Sequence, residues 1–187
     1  MSLEFTRLPV GPSVPYDDGA AQHLFGMRLP PVLLPGTHGK TVDLAHLGGK
    51  AVLYAYPMTG RPGHPLPGGW DEIPGARGCT PQSCGFRDHF AELKALGVAH
   101  VFGISTQTTA YQKEAVERLH LPFPLLSDAL GELTEMLDLP TFEADGESLL
   151  KRLTLVAVDG TIEKVFYPVF PPDRNAADVV DYLTRNA

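Results

Sequence analysis

Gly78-Cys79-Thr80-Pro81-Gln82-Ser83-Cys84-Gly85-Phe86-Arg87-Asp88 opens a helix. Pro81 falls in its first turn, where the amide that proline lacks would have no partner in any case. Phe86, Phe90 and Leu93 follow at i, i+4 and i+7 as one apolar stripe, and Gly97 stops the run. One helix is therefore expected from Cys79 or Thr80 to Leu96. Upstream, Ala51-Val52-Leu53-Tyr54-Ala55-Tyr56 is almost unbroken apolar sequence, the pattern of a strand buried on both faces. Residues 57–78 separate the two. They contain five prolines, six glycines and the only tryptophan, Trp70. A connection this long is functional or disordered as a rule, and its stiff prolines and large aromatic favour order.

Farther out, Ala99–Ile104 reads as a strand, Thr108–His120 as a helix, Pro124–Leu126 as a short strand and Gly131–Leu137 as a short helix. Leu153–Val158 and Thr161–Tyr167 flank Asp159-Gly160, a hairpin signal. Asp173–Asn186 reads as a closing helix capped by Asp173 or Asn175. On the other side, Val32–Leu34 and Val42–Leu44 about a Gly39 turn suggest a short hairpin. Residues 1–28, broken by Pro9, Gly11, Pro12 and Pro15, read as an extended arm or loosely packed leader ahead of a domain at 29–187. The order βαβαβα, hairpin, α predicts an α/β fold of thioredoxin type. Its central sheet is mixed and flanked by helices, with a Pro/Gly-rich insertion before the Cys79 helix.

Composition narrows the function. The 187 residues hold 15 basic and 22 acidic side chains, net −7, without a Lys/Arg cluster. Nucleic acid and anionic membrane are poor partners for such a chain. No segment approaches the ~18 apolar residues of a membrane span. Met1-Ser2-Leu3-Glu4-Phe5-Thr6-Arg7 lacks a secretory pattern, so a cytoplasmic location is expected. Proline, at 18 residues, is about twice its usual share. There are only two cysteines, Cys79 and Cys84.

On one α-helix, positions five apart differ by about 7.5 Å in rise and about 140° in rotation, which separates their Cα atoms by about 8.6 Å. A disulfide needs less than about 7 Å, so bridging Cys79 and Cys84 requires the helix start to unwind. A static staple is thus poorly placed. Cys79, Cys84 and His89 at i, i+5 and i+10 point around the helix in three directions, unlike zinc spacings, and no metal or cofactor is expected. Two unrelated buried cysteines are a third reading. Redox catalysis suits the positions better. Cys79 lies at a helix N-terminus, where orphan amides favour a thiolate. Its place on the stripe of Phe86, Phe90 and Leu93 puts it at the mouth of the core.

The run G-C-T-x₃-C-x-F-R-D resembles the peroxiredoxin family, most closely its PrxQ or bacterioferritin comigratory protein branch. The likeness extends over about residues 28–183 and includes Lys50–Pro57, Val101–Ser105, Leu125–Asp128, Arg152–Leu155 and Asp159-Gly160. It implies a thioredoxin fold, a peroxidatic Cys79, a resolving Cys84 on the same chain and an activating Arg152. It also implies a peroxide substrate, hydrogen peroxide or a small organic hydroperoxide, and a thioredoxin- or glutaredoxin-like reductant. A monomer or homodimer is expected. Without the motif, Arg152 reads as a surface arginine at a strand start.

One departure matters. The family writes P-x₃-[T/S]-x₂-C before the peroxidatic cysteine, but here Glu72 and Ala76 fill the proline and hydroxyl positions. Pro57 and Thr59, at the strand exit, are displaced from Cys79 by an insertion of about fifteen residues. Either the loop folds back so that Thr59 supplies the hydroxyl, or that hydrogen bond is missing. Gly78 and Arg77 complete the expected substrate pocket, Arg77 replacing another family proline. Arg87 and Asp88 read as a local ion pair, and His64 and His89 as surface residues. Two other functions remain open: a thiol–disulfide oxidoreductase, although C-x-x-C is absent, and a non-enzymatic binding module docking through the Trp70 loop. Loss of activity on deleting residues 61–74 would make that loop a lid, and loss of oligomer alone a docking surface.

Overall fold

The structure, a computed structural model, describes residues 13–187. A hairpin of β1 (Leu33–Pro35) and β2 (Thr41–Asp43) precedes β3 (Lys50–Ala55), α1 (Cys79–Asp88), α2 (Phe90–Ala95) and β4 (Val98–Ser105). Then come α3 (Thr109–Leu119), β5 (Leu125–Ser127), α4 (Glu132–Leu137), β6 (Thr141–Ala144) and β7 (Glu147–Leu150). The chain finishes with β8 (Leu153–Val158), β9 (Thr161–Phe166) and α5 (Asn175–Arg185). The central sheet has the order β5-β4-β3-β8-β9, with β3, β4 and β5 parallel and β8 and β9 antiparallel. This is the expected α/β architecture with a mixed sheet. No described helix is long and apolar enough to cross a membrane.

The pleat divides the core in two, because successive strand residues face opposite ways. Val52, Tyr54, Tyr56 and Val156 pack with Phe86, Leu93, Leu119 and Val179 from the helices. Leu53, Ala55, Ile104 and Leu155 pack on the other face with Leu24, Leu29, Leu133 and Leu137. Phe86 stacks on Tyr54 with ring centroids 4.4 Å apart, which fixes α1 across the exit of β3.

Several local expectations change. The helix expected over 79–96 breaks at His89, whose ψ of 5° leaves the helical range. Phe86 thereby stays on Tyr54 while Phe90 meets Phe123 at 5.7 Å. The β6–β7 hairpin was not expected, though its turn, Asp145-Gly146, carries both residues at positive φ and is a standard hairpin signal. Neither Asp173 nor Asn175 caps α5. Asn175 is instead buried, and its side-chain oxygen accepts from Thr154 and Gln82. Of the arm expected at 1–28, residues 1–12 lie outside the described residues. The following segment is seated on the sheet: Leu24 is fully buried, Arg28 bridges to Thr161, and Asp18 accepts from Lys151 and Tyr167.

Candidate active site

Cys79 is the first residue of α1 and is only 3% exposed. Gly78 precedes it at φ 108°, a left-handed conformation that favours glycine, and no side chain caps the helix. The orphan amides of the first turn therefore stay uncapped by any side chain beside the sulfur. Both cysteines are free thiols. Cys84 lies one and a half turns on, half-buried against the helical face of the core, and burial pushes its thiol pKa above the ordinary value.

Arg152 lies in the short link between β7 and β8 and is 4% exposed. One terminal nitrogen, Nη2, donates to Cys79 Sγ at 3.2 Å. The same nitrogen approaches the carbonyls of Gly75, Ala76 and Arg77 at 3.2, 3.3 and 3.2 Å. The other, Nη1, donates to Gln82 Oε1. Gln82 passes the chain on: its Nε2 donates to Asn175 Oδ1 at 2.9 Å, which also accepts from Thr154 Oγ1 at 2.6 Å. All four side chains are buried. A buried guanidinium is thus fixed by carbonyl oxygens and an amide relay, with one edge toward sulfur. The sequence reading missed Gln82 and Asn175. Gln82 was findable, because i+3 on a helix shares a face with Cys79, whereas Asn175 meets it only in the tertiary structure.

The other expected pocket residues are placed unevenly. Pro57 is buried at the exit of β3. Thr59 is fully buried, but its amide and hydroxyl donate to Gln107 Oε1 at 3.1 and 3.5 Å, and no hydrogen bond joins it to Cys79. Of the two alternatives, the missing hydrogen bond is the one observed. The reason lies in α3, which holds the strand exit: Tyr111 Oη donates to Thr59 O at 3.0 Å. The Arg77 side chain turns into the insertion and forms a two-pronged pair with Asp71, leaving its carbonyl toward Arg152. Arg87 and Asp88 pair locally, His64 is exposed, and His89 bonds Glu92 on the helix surface.

A small cavity of about 20 Å³ touches Cys79 and is also lined by Arg77, Gly78 and Thr80 and by Met58, Leu66 and Trp70 from the insertion. A larger cavity of about 130 Å³, between Ile73, Phe142 and Val169, also reaches Arg152 but has no wall at Cys79. The arrangement offers one sulfur nucleophile with a fixed cation at 3.2 Å, helix-start amides beside it and a water-sized space at the sulfur. It suits attack on a small electrophile whose leaving atom gains negative charge.

Comparison with known proteins points to one family. The family model for Redoxin matches residues 24–183. A Coxiella burnetii protein named as a bcp peroxiredoxin is 32% identical over 163 residues, covering 84% of this chain and 97% of its own. The chloroplastic peroxiredoxin Q of Triticum aestivum is 30% identical across 82% of this chain, which spans 64% of that protein. Among solved structures, the peroxidoxin BcpB of Mycobacterium tuberculosis superposes with a TM-score of 0.70 at 26% identity, covering 87% of this chain and 97% of its own.

Proposed function

The chain belongs to the Redoxin family, in its PrxQ/bcp peroxiredoxin branch, and from that premise we propose that it reduces hydrogen peroxide and small organic hydroperoxides through Cys79. The single observation that carries this reading is the 3.2 Å contact of Arg152 Nη2 with Cys79 Sγ at the start of α1. In the first step the Cys79 thiolate attacks the terminal oxygen of ROOH. An S–O bond forms and the O–O bond breaks, giving Cys79–SOH and RO⁻, which takes a proton from water. Sulfur is oxidised and the peroxide reduced by two electrons. Negative charge grows on the departing oxygen, and Arg152 and the helix-start amides are the preorganised donors that receive it.

In the second step the Cys84 sulfur attacks Cys79–SOH. An S–S bond forms, the S–O bond breaks, and the hydroxide combines with the thiol proton to leave as water. Because about 8.6 Å separates positions five apart on a helix, α1 must unwind first. A dithiol reductant of thioredoxin type then exchanges with the disulfide and returns both thiols, as befits a reducing compartment such as the cytoplasm. Mass spectrometry after one equivalent of hydrogen peroxide tests the cycle. Loss of about two daltons, mapped to a Cys79–Cys84 link, is expected in the native chain. Cys79→Ser should abolish peroxide consumption, and Cys84→Ser should spare the first turnover but block recycling. Full activity in Cys79→Ser overturns the proposal.

A further inference from the structure

We propose that the insertion 58–77 is a fixed wall that sets substrate size, admitting hydrogen peroxide and the smallest hydroperoxides to Cys79 while excluding branched and aryl ones. The inference rests on the peroxidase reading and specifies its substrate.

The insertion is anchored at both ends. Toward α3, the Arg61 guanidinium lies 4.5 Å over the Tyr111 ring, and Arg118 Nη2 donates to Gly60 O at 3.0 Å. Toward the β6–β7 hairpin, Trp70 is 4% exposed and clusters with Ala144 and Leu149, its ring 6.0 Å from Phe142. Gly68 N also donates to Asp145 Oδ2 at 3.1 Å. The Arg77–Asp71 pair ties the last residues before Gly78 back to the Trp70 turn. Proline at 62, 65, 67 and 74 lowers the entropy of forming this shape. It is an ordered segment that shares a small apolar core with the β6–β7 hairpin.

The space beside the sulfur is small. The cavity at Cys79 measures about 20 Å³, little more than the ~10–15 Å³ that one water requires. Met58, Leu66 and Trp70, all from the insertion, line this cavity together with Cys79. A peroxide must bring its terminal oxygen onto Sγ, so any substituent on the other oxygen competes for space with the side chains that line this cavity. A proton fits there, whereas an isopropylbenzene unit requires the wall to move. Each methylene-sized misfit in an apolar pocket is worth roughly 10–200-fold in rate.

The test uses the full-length reduced protein and measures second-order rate constants for Cys79 oxidation by quenched flow and mass spectrometry, with hydrogen peroxide and with cumene hydroperoxide. The native chain is expected to react at least about 100-fold faster with hydrogen peroxide. Trp70→Ala and, separately, Leu66→Ala should each raise the cumene-to-hydrogen-peroxide ratio at least about tenfold. Leu66→Ala decides the matter if Trp70→Ala fails to fold, and thermal melting reports which variants are folded. A native ratio near one, or an unchanged ratio in the folded variants, overturns the size wall and leaves the peroxidase reading standing. Absence of Cys79 oxidation by either peroxide removes that reading and the wall together.

Discussion

Arg152 Nη2 and Cys79 Sγ are 3.2 Å apart across 73 residues of sequence. The antiparallel pairing of β3 with β8 makes this contact, since Ala55 opposes Leu153 and α1 begins at the same end of the sheet. Replacing the guanidinium by an apolar chain of similar length, Arg152→Met, should lower the rate constant for peroxide by about 10²–10³. The Gly75, Ala76 and Arg77 carbonyls and the Gln82 amide would lose a buried donor, so stability should fall by about 1–3 kcal/mol. Stopped-flow peroxide consumption and urea denaturation measure the two effects. A rate within threefold of native would remove Arg152 from the chemistry.

Asn175 holds the far end of that relay. Asn175→Ala leaves the Gln82 amide and the Thr154 hydroxyl buried without their acceptor, at a cost of about 2–3 kcal/mol. Asn175→Asp keeps the acceptor oxygen and should recover part of the loss. Equal urea midpoints for native and Asn175→Ala would show that the relay bears no load.

The raised Cys84 pKa, caused mainly by burial, gives disulfide formation a pH dependence. The wound helix disfavours the Cys84 thiolate, and the unwound helix exposes it to ionise at the ordinary value near 8.5. Stability of the wound form from this group is complete below that pH and is lost as pH rises. The rate of Cys79–Cys84 bond formation should therefore climb between about pH 8 and 9.5. Rapid-quench mass spectrometry following sulfenic acid decay is the assay, and a flat profile from pH 7 to 10 would contradict the argument.

Asp18 is held well below the usual carboxylate range by hydrogen bonds from Lys151 first and Tyr167 second. Its contribution is present above about pH 4, the ordinary carboxylate value, and is lost as pH falls further toward the depressed folded value. Asp18→Asn should lower stability at pH 7 by no more than about 1 kcal/mol, the scale of a partly exposed pair. It should also flatten acid unfolding below pH 4, read from urea midpoints at successive pH values. An unchanged acid profile would mean that the segment around Asp18 is not seated through this carboxylate.

Some of this was legible residue by residue. Gly78-Cys79, the apolar spacing of Phe86, Phe90 and Leu93, and the runs of β3 and β4 are local signals, and local signals survive without coordinates. The resemblance supplied Arg152, which nothing in its own neighbourhood distinguished from a surface arginine. Asp145-Gly146 is a turn signal, but flanking strands of only four residues each give it little periodic support in the sequence. The break at His89 was not readable, since Phe90 turns toward a phenylalanine 33 positions away.

By itself the sequence determined the central strands and the main helices, the helix start that presents Cys79 and the spacing of about 8.6 Å that a wound helix puts between positions 79 and 84. These follow from backbone geometry and from the 3.6- and 2-residue periods of side-chain direction. Only the tertiary structure decided which groups surround the sulfur. Strand register brings in Arg152, Asn175 fixes Gln82, α3 keeps Thr59 on Gln107, and the β6–β7 hairpin packs against the proline-rich loop. Those contacts join residues far apart in the chain, and packing rather than local conformational preference selects among them.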